Sequence, residues 1–421
     1  MVINVKISRQ KGTKDIFGED IKIWQYIEKN IKEICNAYCL NEIRTPVFEA
    51  TELYARGVGD ETDIVNKEMY TFVDKGGRSI TLRPELTAGV VRAYIENGMS
   101  SFTSPVKLWY EANMYRYEKM QKGRYREFAQ FGVEYFGSKS YLADIEVIML
   151  ANDLLSRLNL INDITLSINS IGCKECRAKY IEALKDFVKP NLNNMCDTCK
   201  TRYEKNPLRM LDCKEEKCKE ILKDAPMITD YLCKECKKDF EDLKSMLDSL
   251  DVKYVVDKKI VRGLDYYNKT VFEFVDNNSS LTVCAGGRYD GLIESLSGTS
   301  TPAVGFGLGI DRVVLLLKDK ISKEDLVDNV DIYFAILDDT GYSVAGSIVS
   351  LLRKENIKVE IDTLNRSFNA KLKYANKINA RYVVIIGEEE LKENKCILKN
   401  MQSGDQESID LNAKEIISRL K

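Results

Sequence analysis

The spacing of apolar residues along the first 170 positions predicts a mixture of helices and strands. Ile23, Ile27, Ile31 and Ile34 recur at intervals of four, four and three residues, which is the period of an amphipathic helix over 19–38. Further helices are predicted over 87–97 and 143–158, and strands over 68–73, 79–83, 107–117, 128–136 and 164–170. We expect these elements to form a mixed α+β unit dominated by antiparallel strand pairs.

The pattern changes twice further along the chain. From 172 to 251 the composition shifts to Lys, Cys and Glu with helical periodicity, which predicts a helical module inserted into one domain. Strands over 254–261, 270–275 and 281–285, a glycine-rich segment and a helix over 311–318 then resume the first pattern. After a charged linker, strands over 332–337, 359–362 and 382–386 alternate with helices over 341–355 and 369–378. The predicted divisions are therefore 1–171, 172–251, 252–325 and 330–421, the last a small α/β domain.

Composition supports a folded protein of several domains. At 421 residues the chain is longer than a single hydrophobic core accommodates, and 44% hydrophobic with 30% charged residues is typical of ordered globular proteins. No apolar stretch approaches a membrane span and the first residues contain no apolar signal segment, so we expect a cytoplasmic protein without a membrane partner. The net charge of −2 does not by itself indicate nucleic-acid binding.

Two residue types constrain the chemistry. The chain contains no His, which excludes imidazole as a base, nucleophile or ligand and removes the Ser-His and Cys-His hydrolases. The twelve Cys, without an export signal, favour reduced thiols or a metal site. The spacing of Cys173-x-x-Cys176 and Cys196-x-x-Cys199 predicts a four-thiolate structural zinc site, and a second one is open to Cys213, Cys218, Cys233 and Cys236. The alternative is free thiols at helix ends.

Two stretches carry residues suited to nucleotide chemistry. Between two predicted strands, the segment 114–134 contains Arg116, Arg124 and Arg126, whose guanidinium groups can hold phosphate oxygens, and Phe128, which offers a flat face to a purine. The alternative is a solvated basic edge. The segment Thr301-Pro-Ala-Val-Gly-Phe-Gly-Leu-Gly-Ile-Asp-Arg312 allows close backbone approach through its glycines, or is a packed strand-to-helix turn.

Together with Pro46, these stretches resemble the three signature elements of class II aminoacyl-tRNA synthetases. The peptides Val261-Arg-Gly-Leu-Asp-Tyr-Tyr-Asn-Lys-Thr-Val-Phe-Glu273 and Ala285-Gly-Gly-Arg-Tyr-Asp-Gly-Leu292 are similar to two that are particular to the histidyl-tRNA synthetase family. Segments 81–88 and 380–388 extend the resemblance nearly end to end. It implies an antiparallel sheet core flanked by helices, a helical insertion and a C-terminal α/β anticodon-binding domain.

The resemblance also implies an activity. Family members activate L-histidine with ATP to histidyl-adenylate and transfer it to tRNA-His, releasing AMP and diphosphate. The residues that match the family's histidine site are Glu85, Leu86, Thr87, Arg116, Gln130, Glu134, Arg262, Tyr266 and Tyr267. Glu134 and Tyr267 suit the imidazole, and Glu85 and Gln130 suit the α-ammonium. Leu86 and Ala129 stand where the family commonly has Gly and His.

For ATP, the resemblance implies Arg116, Glu118, Arg124, Phe128 and Arg312, with Mg²⁺ on the outer phosphates. Arg116 and Arg262 are the expected catalytic cations on either side of the α-phosphate, because the reaction needs positioning and charge neutralisation.

The tRNA contacts are expected at Lys119 and Gln121, for the acceptor end, and at Arg366, Lys371 and Lys373, for the anticodon loop. Position 46 lies in the element that builds a two-fold interface in this class, which implies a homodimer.

Two alternatives belong to other functional classes. A non-catalytic paralogue that regulates histidine biosynthesis lacks the anticodon domain and part of the Arg-Gly-Leu-Asp-Tyr-Tyr peptide, and this chain keeps both. A zinc-containing RNA-binding module without catalysis would not explain why Arg116, Arg262 and Arg312 are all present.

Overall fold

A computed structural model of the chain describes residues 7–59, 62, 64–257, 260, 264, 266–322 and 329–420. The chain divides into two compact units, 1–320 and 321–421. The strands of the first unit are β1 (Asn41–Glu42), β2 (Phe48–Ala50), β3 (Tyr70–Val73), β4 (Ser79–Leu82), β5 (Val106–Tyr115), β6 (Glu127–Phe136), β7 (Ile164–Ser170), β8 (Tyr254–Val256), β9 (Asn268–Asp276), β10 (Thr282–Arg288) and β11 (Ala303–Gly309). Its helices are α1 (Glu19–Ala37), α2 (Thr51–Val58), α3 (Thr87–Glu96), α4 (Tyr141–Arg157), α5 (Lys174–Val188), α6 (Asp197–Lys205), α7 (Glu216–Ile221), α8 (Lys234–Ser249), α9 (Leu292–Ser295) and α10 (Ile310–Leu317).

The first unit is built on an eight-stranded sheet in the order β1-β5-β6-β11-β10-β9-β7-β8. The six inner strands pair antiparallel, and the edge strands β1 and β8 pair parallel to their neighbours. Helix α1 packs on both α4 and α10, and α4 and α10 pack against the sheet. The isoleucine stripe of α1, including Ile27 and Ile31, is fully buried, as its spacing predicts. These features confirm the α+β class and the antiparallel core.

Strand β11 was not among the predicted strands, and only the alternative interpretation of 301–312 as a packed strand-to-helix turn included it. Its residues Ala303–Gly309 form a central strand that pairs β6 on one side and β10 on the other. Val304, Phe306 and Leu308 alternate with glycines, which leave one face without side chains, and the glycine content favours a loop over a strand. The predicted strand over 254–261 ends at Val256, and part of its remainder lies outside the described residues.

Between β7 and β8 the chain forms α5, α6, α7 and α8, joined by short 3-10 turns. Tyr180, Leu184 and Leu222 are buried with the same hydrophobic cluster as Tyr110 and Val271 of the sheet. The helical character of this segment matches its periodicity, and its boundaries as an inserted domain stay a prediction.

The second unit has a five-stranded sheet in the order β13-β12-β14-β15-β16. Its strands are β12 (Val330–Ile336), β13 (Val359–Ile361), β14 (Ala380–Ile386), β15 (Lys395–Asn400) and β16 (Gln406–Asp410), and its helices are α11 (Gly341–Lys354), α12 (Phe368–Lys377), α13 (Glu388–Lys392) and α14 (Ala413–Leu420). Strands β12, β13 and β14 are parallel, and β15 and β16 extend the sheet as an antiparallel pair. Within the described ranges of both units, no helix combines the length and apolarity needed to cross a membrane.

Candidate active site

A cavity of about 260 Å³ lies in the first unit, with walls formed by β6, β10, β11 and the loops beside them. The lining residues that the sequence motifs predicted are Glu85, Thr87, Arg116, Glu118, Arg124, Phe128, Gln130, Tyr266, Tyr267 and Arg312. Further lining residues, which were not predicted, include Tyr125, Ala129, Leu264, Glu273, Cys284 and Asp311. One cavity thus gathers residues that are more than 220 positions apart in the chain, from Glu85 to Arg312.

The glycines of β11 create room for two polar side chains of β6. A Cβ atom added at Gly305 would overlap Oε2 of Glu134, and one added at Gly307 would overlap Nε2 of Gln130. These side chains therefore lie across the bare face of β11. The sequence interpretation of the glycines as sites of close approach is correct, but the group that approaches is a neighbouring side chain.

Glu134 is buried at 1% exposure and both of its carboxylate oxygens are occupied. Oε1 accepts hydrogen bonds from the Thr87 hydroxyl at 2.7 Å and from the Tyr110 hydroxyl at 3.3 Å, and Oε2 accepts one from the Tyr289 hydroxyl. Burial raises the pKa of Glu134 to about 8, although these hydrogen bonds act in the opposite direction. Glu134 thus supports the cavity wall through Thr87.

Glu85 holds the start of α3. Its Oε2 accepts from the Thr87 backbone N–H at 2.8 Å and its Oε1 accepts from the Ala88 N–H at 3.0 Å, so the carboxylate satisfies two amides that a helix terminus leaves unpaired. Burial raises the pKa of Glu85 above its usual range. Glu85 also lines the cavity.

Gln130 provides a free acceptor in the cavity wall. Its Oε1 is buried, and no hydrogen-bond partner for it occurs within the described part of the chain. An unpaired buried carbonyl is costly, and a bound donor would offset that cost.

Three tyrosines form an aromatic cluster beside this acceptor. The Tyr266 ring lies 4.7 Å from that of Tyr267 and 5.5 Å from that of Tyr289, measured between centroids. Offset aromatic contacts of this kind give a rigid wall with polar tips.

The opposite part of the cavity is cationic. Arg116 donates from Nε to the Pro84 carbonyl at 2.7 Å and lies 5.4 Å from the Phe128 ring. Arg116 and Arg124 lie 3.7 and 3.4 Å from the two oxygens of Glu118. Arg312 donates to the carbonyl of Thr282, and burial and the charge of Arg124 lower its pKa. Arg116, Arg124 and Arg312 exceed the two carboxylates beside them, Glu118 and Glu273, by one positive charge, which suits a polyphosphate. The predicted catalytic Arg262 lies outside the described residues.

Several supporting residues were missed from the sequence. Tyr289 lies in the peptide 285–292, which was recognised as a family feature but was given no role. Tyr110 alternates with apolar residues of β5 and resembles an ordinary core position. Asp311 accepts from the Ala129 N–H at 2.8 Å and forms an ion pair with Lys14 at 2.5 Å, which ties the start of α10 to β6. No local pattern in the sequence indicates that pair.

Leu86 does not line the cavity, contrary to the prediction that it contacts substrate. Its side chain is 1% exposed and belongs to the same core cluster as Val90 and Val91. An apolar residue at the start of α3 gains more from burial against that core than from facing a polar cavity.

The predicted tRNA contacts divide into exposed and buried side chains. Lys119, Gln121 and Lys373 are exposed, the first two in the loop between β5 and β6. Lys371 is buried, donates to the Ile336 carbonyl and lies 3.7 Å from Asp362, which also pairs with Arg366. The prediction that Lys371 contacts RNA is wrong, because its ammonium is used inside the second unit.

The predicted pairing of the cysteines is also wrong. Cys173 and Cys176 lie with Cys233 and Cys236, here called the first cluster. The second cluster consists of Cys196, Cys199, Cys213 and Cys218. The C-x-x-C spacing identified pairs correctly, but the fold brings the ends of α5 and α8 together and so changes the partners.

Family models match both parts of the chain. A model described as "Histidyl-tRNA synthetase" matches residues 12–313, and one described as "Anticodon binding domain" matches residues 319–421. Two curated relatives are named histidine–tRNA ligase. The protein from Acetivibrio thermocellus is 52% identical over 413 residues, 98% of each chain. The protein from Clostridium perfringens is 50% identical over 415 residues, covering 99% of this chain and 100% of its own.

Solved structures agree with the sequence matches. The structure is similar to apo histidyl-tRNA synthetase from S. aureus, with a TM-score of 0.83 and 38% identity over 98% of both chains. A Bacillus halodurans structure, named ATP phosphoribosyltransferase regulatory subunit/histidyl-tRNA synthetase, has a TM-score of 0.64 at 23% identity over 90% of this chain and 98% of that one. That second likeness concerns the fold alone.

Proposed function

The chain belongs to the histidyl-tRNA synthetase family, and we propose how its residues divide the work of a class II histidine–tRNA ligase. Relatives about half identical over nearly the full length are ligases, which favours catalysis over the regulatory paralogue. The observation that carries the proposal is that one cavity joins a wall of tyrosines, Glu85 and the unpaired Gln130 acceptor to a group of three arginines.

Histidine occupies the aromatic end. Its α-ammonium donates to Gln130 Oε1 and to Glu85, and its imidazole lies against Tyr266 and Tyr267. Glu134 sets the position of Thr87 and of the Tyr289 hydroxyl behind this site. A polar pocket of this kind rejects apolar amino acids, because they leave its buried groups unpaired.

ATP occupies the cationic end. Phe128 and Arg312 enclose the adenine, Glu118 accepts from its amino group, and Arg116 and Arg124 hold the phosphates. The Glu273 carboxylate lines the same cavity and offers the oxygen ligands that Mg²⁺ prefers, so it would hold a phosphate-bound ion that neutralises charge on the phosphates.

The two steps then follow from position and charge. A carboxylate oxygen of histidine attacks the α-phosphorus, the bond to the bridging oxygen breaks, and diphosphate leaves with the electron pair. Arg116 stabilises the charge on the α-phosphate. By its motif Arg262 acts from the other side. A ribose hydroxyl at the tRNA 3′ end then attacks the acyl carbon, and AMP leaves. Since the chain contains no His, the hydroxyl proton passes to a phosphate oxygen, a carboxylate or water.

The remaining surfaces complete the proposal. Lys119 and Gln121 lie in the exposed loop where the acceptor end would bind, and Lys373 and Arg366 lie on the face of the second unit proposed for the anticodon loop. The chain acts in the cytoplasm as a homodimer built around the element that contains Pro46.

ATP–pyrophosphate exchange tests the proposed function. We expect exchange with histidine and none with the other nineteen amino acids, and Arg116→Ala should abolish it while leaving the fold intact. Exchange with a different amino acid would refute the histidine assignment. No exchange with any amino acid would favour the regulatory paralogue.

A further inference from the structure

The eight cysteines between β7 and β8 form two groups of four. Within each cluster, one Sγ atom from every residue lies within 4.8 Å of the others. We propose that each cluster binds one zinc ion through four thiolates, and that the zinc of the first cluster positions Tyr267 in the wall of the histidine pocket.

The sulfur separations fit a tetrahedral ion. With zinc–sulfur bonds of about 2.3 Å, the edge of a regular tetrahedron is about 3.8 Å. The Sγ atoms of Cys173 and Cys176 are 3.5 Å apart, and those of Cys196 and Cys213 are 3.8 Å apart. Sulfur atoms of a disulfide are only about 2.05 Å apart. All eight residues are free thiols, and their spacing fits a single ion in each group.

Backbone amides point at the sulfur atoms. Cys176 Sγ accepts from the Cys233 N–H at 3.1 Å, and Cys233 Sγ accepts from the Cys236 N–H at 3.5 Å. In the second cluster, Cys218 Sγ accepts from the Cys196 N–H at 3.3 Å. Amide donors stabilise the negative charge that a metal-bound thiolate carries, and they fix the direction of each ligand.

The first cluster is connected to the pocket. It joins the beginnings of α5 and α8, and Arg177 of α5 donates to the Tyr267 carbonyl at 3.1 Å. Lys269, two residues further on, donates to Glu235 and Asp239 of α8, both at 3.1 Å. The Lys269 N–H also donates to the Gly172 carbonyl at 2.9 Å, directly before the cluster. An ion that fixes both helix ends therefore fixes Tyr267. The second cluster joins α6 to α7, and its sulfur hydrogen bonds among the described residues run between its own cysteines and not to Tyr267.

Metal content of the full chain, purified without chelator, tests the sites. We expect about two zinc ions per chain, and about one in either Cys233→Ser or Cys196→Ser. These positions are matched, because each cysteine caps a helix with its side chain and serine is a good cap that keeps this role. Cys39→Ser changes an exposed cysteine outside both clusters and should retain both ions. Less than about a tenth of an equivalent of zinc in the unsubstituted chain, or iron in its place, overturns the proposal.

Cobalt substitution of the unsubstituted chain keeps the test valid if a variant does not fold. The visible bands of tetrahedral cobalt–thiolate should grow until about two equivalents are bound, and their absence overturns the sites.

The proposal that the first zinc ion positions Tyr267 rests on the proposed function, and the KM for histidine tests it separately from the metal content. Cys233→Ser should raise the KM for histidine about tenfold with little change in kcat, and Cys196→Ser should change neither. Loss of one zinc without a change in that KM overturns the positioning role. If the unsubstituted chain does not catalyse ATP–pyrophosphate exchange with histidine, the proposed function fails. The measured zinc content would still show whether the two clusters bind zinc.

Discussion

The Tyr289 hydroxyl donates a hydrogen bond to Oε2 of Glu134, which links the residue after β10 to the last third of β6. The same carboxylate accepts from Thr87, so three separate parts of the chain meet at one buried group. The shape of the proposed histidine pocket depends on this group through Thr87, although Glu134 itself does not line the cavity.

Tyr289→Phe should impair histidine binding without preventing folding. The variant keeps the ring but removes one donor from a buried carboxylate, a loss of about 1–3 kcal/mol, so we expect the KM for histidine to rise about tenfold in pyrophosphate exchange. Tyr135→Phe is the matched control, because it removes the hydroxyl of a buried tyrosine next to Glu134 in β6, on the opposite face of that strand. Equal KM values for the two variants would contradict the role given to Tyr289.

The stability of the ligand-free chain should depend on pH through Glu134. Burial raises its folded-state pKa from 4.5 to about 8, so between these values the folded chain binds a proton that the unfolded chain releases. The free energy of unfolding contributed by this group therefore falls as pH rises through that window, by at most about 1.4 kcal/mol per pH unit. The thermal midpoint of the unsubstituted chain, relative to Glu134→Gln, should decline from pH 5 to pH 8. A constant difference would show that Glu134 is ionised throughout.

Gly307→Ala should inactivate the enzyme. The added methyl group overlaps Nε2 of Gln130, so Gln130 must leave the position in which its carbonyl faces the cavity. Displacement of a substrate by about 1 Å can lower the reaction rate about a hundredfold, and we expect kcat/KM for histidine to fall by roughly that factor. Gly346→Ala makes the same change in α11, where a Cβ meets no atom, and should retain full exchange activity. Normal activity of Gly307→Ala would show that Gln130 does not contribute to histidine binding.

Lys371 and Lys373 should behave differently although they are two positions apart. Lys371→Ala leaves the buried Asp362 with less compensation and should lower the thermal midpoint by several degrees. Lys373→Ala changes an exposed side chain, so it should weaken tRNA binding in a salt-dependent way at an unchanged thermal midpoint. Filter binding and thermal unfolding distinguish the two. A stable Lys371→Ala variant with weak tRNA binding would support the original prediction that Lys371 contacts tRNA.

Regular periodicity allowed much of the fold to be predicted. The buried isoleucines of α1 follow directly from their spacing in the sequence. The apolar pattern also predicted β7, which begins at residue 164 and ends at residue 170 as expected. β11 was missed because its glycines exist to make room for Glu134 and Gln130, a reason that lies in other strands. The pair β15 and β16 was missed because the apolar run of β15 is short, covering only 396–398, and β16 is polar apart from Ile409.

The residues of the candidate site could be predicted where they belong to a sequence motif. They could not be predicted where three-dimensional packing determines which side chains meet. Arg116, Arg124 and Arg312 meet in one cavity as expected. The partners of the cysteines depend on helix ends that are 57 positions apart, from Cys176 to Cys233, and spacing alone cannot assign them. The burial of Lys371 depends on the direction of its side chain, which a count of positive charges does not contain.

The most direct test of the central claim is the charging of tRNA by the purified chain with radiolabelled histidine. We predict ATP-dependent formation of histidyl-tRNA on tRNA-His, no charging of a tRNA for another amino acid, and loss of charging in Arg116→Ala. Absence of histidyl-tRNA under conditions in which the unsubstituted chain is folded and binds ATP would contradict the account.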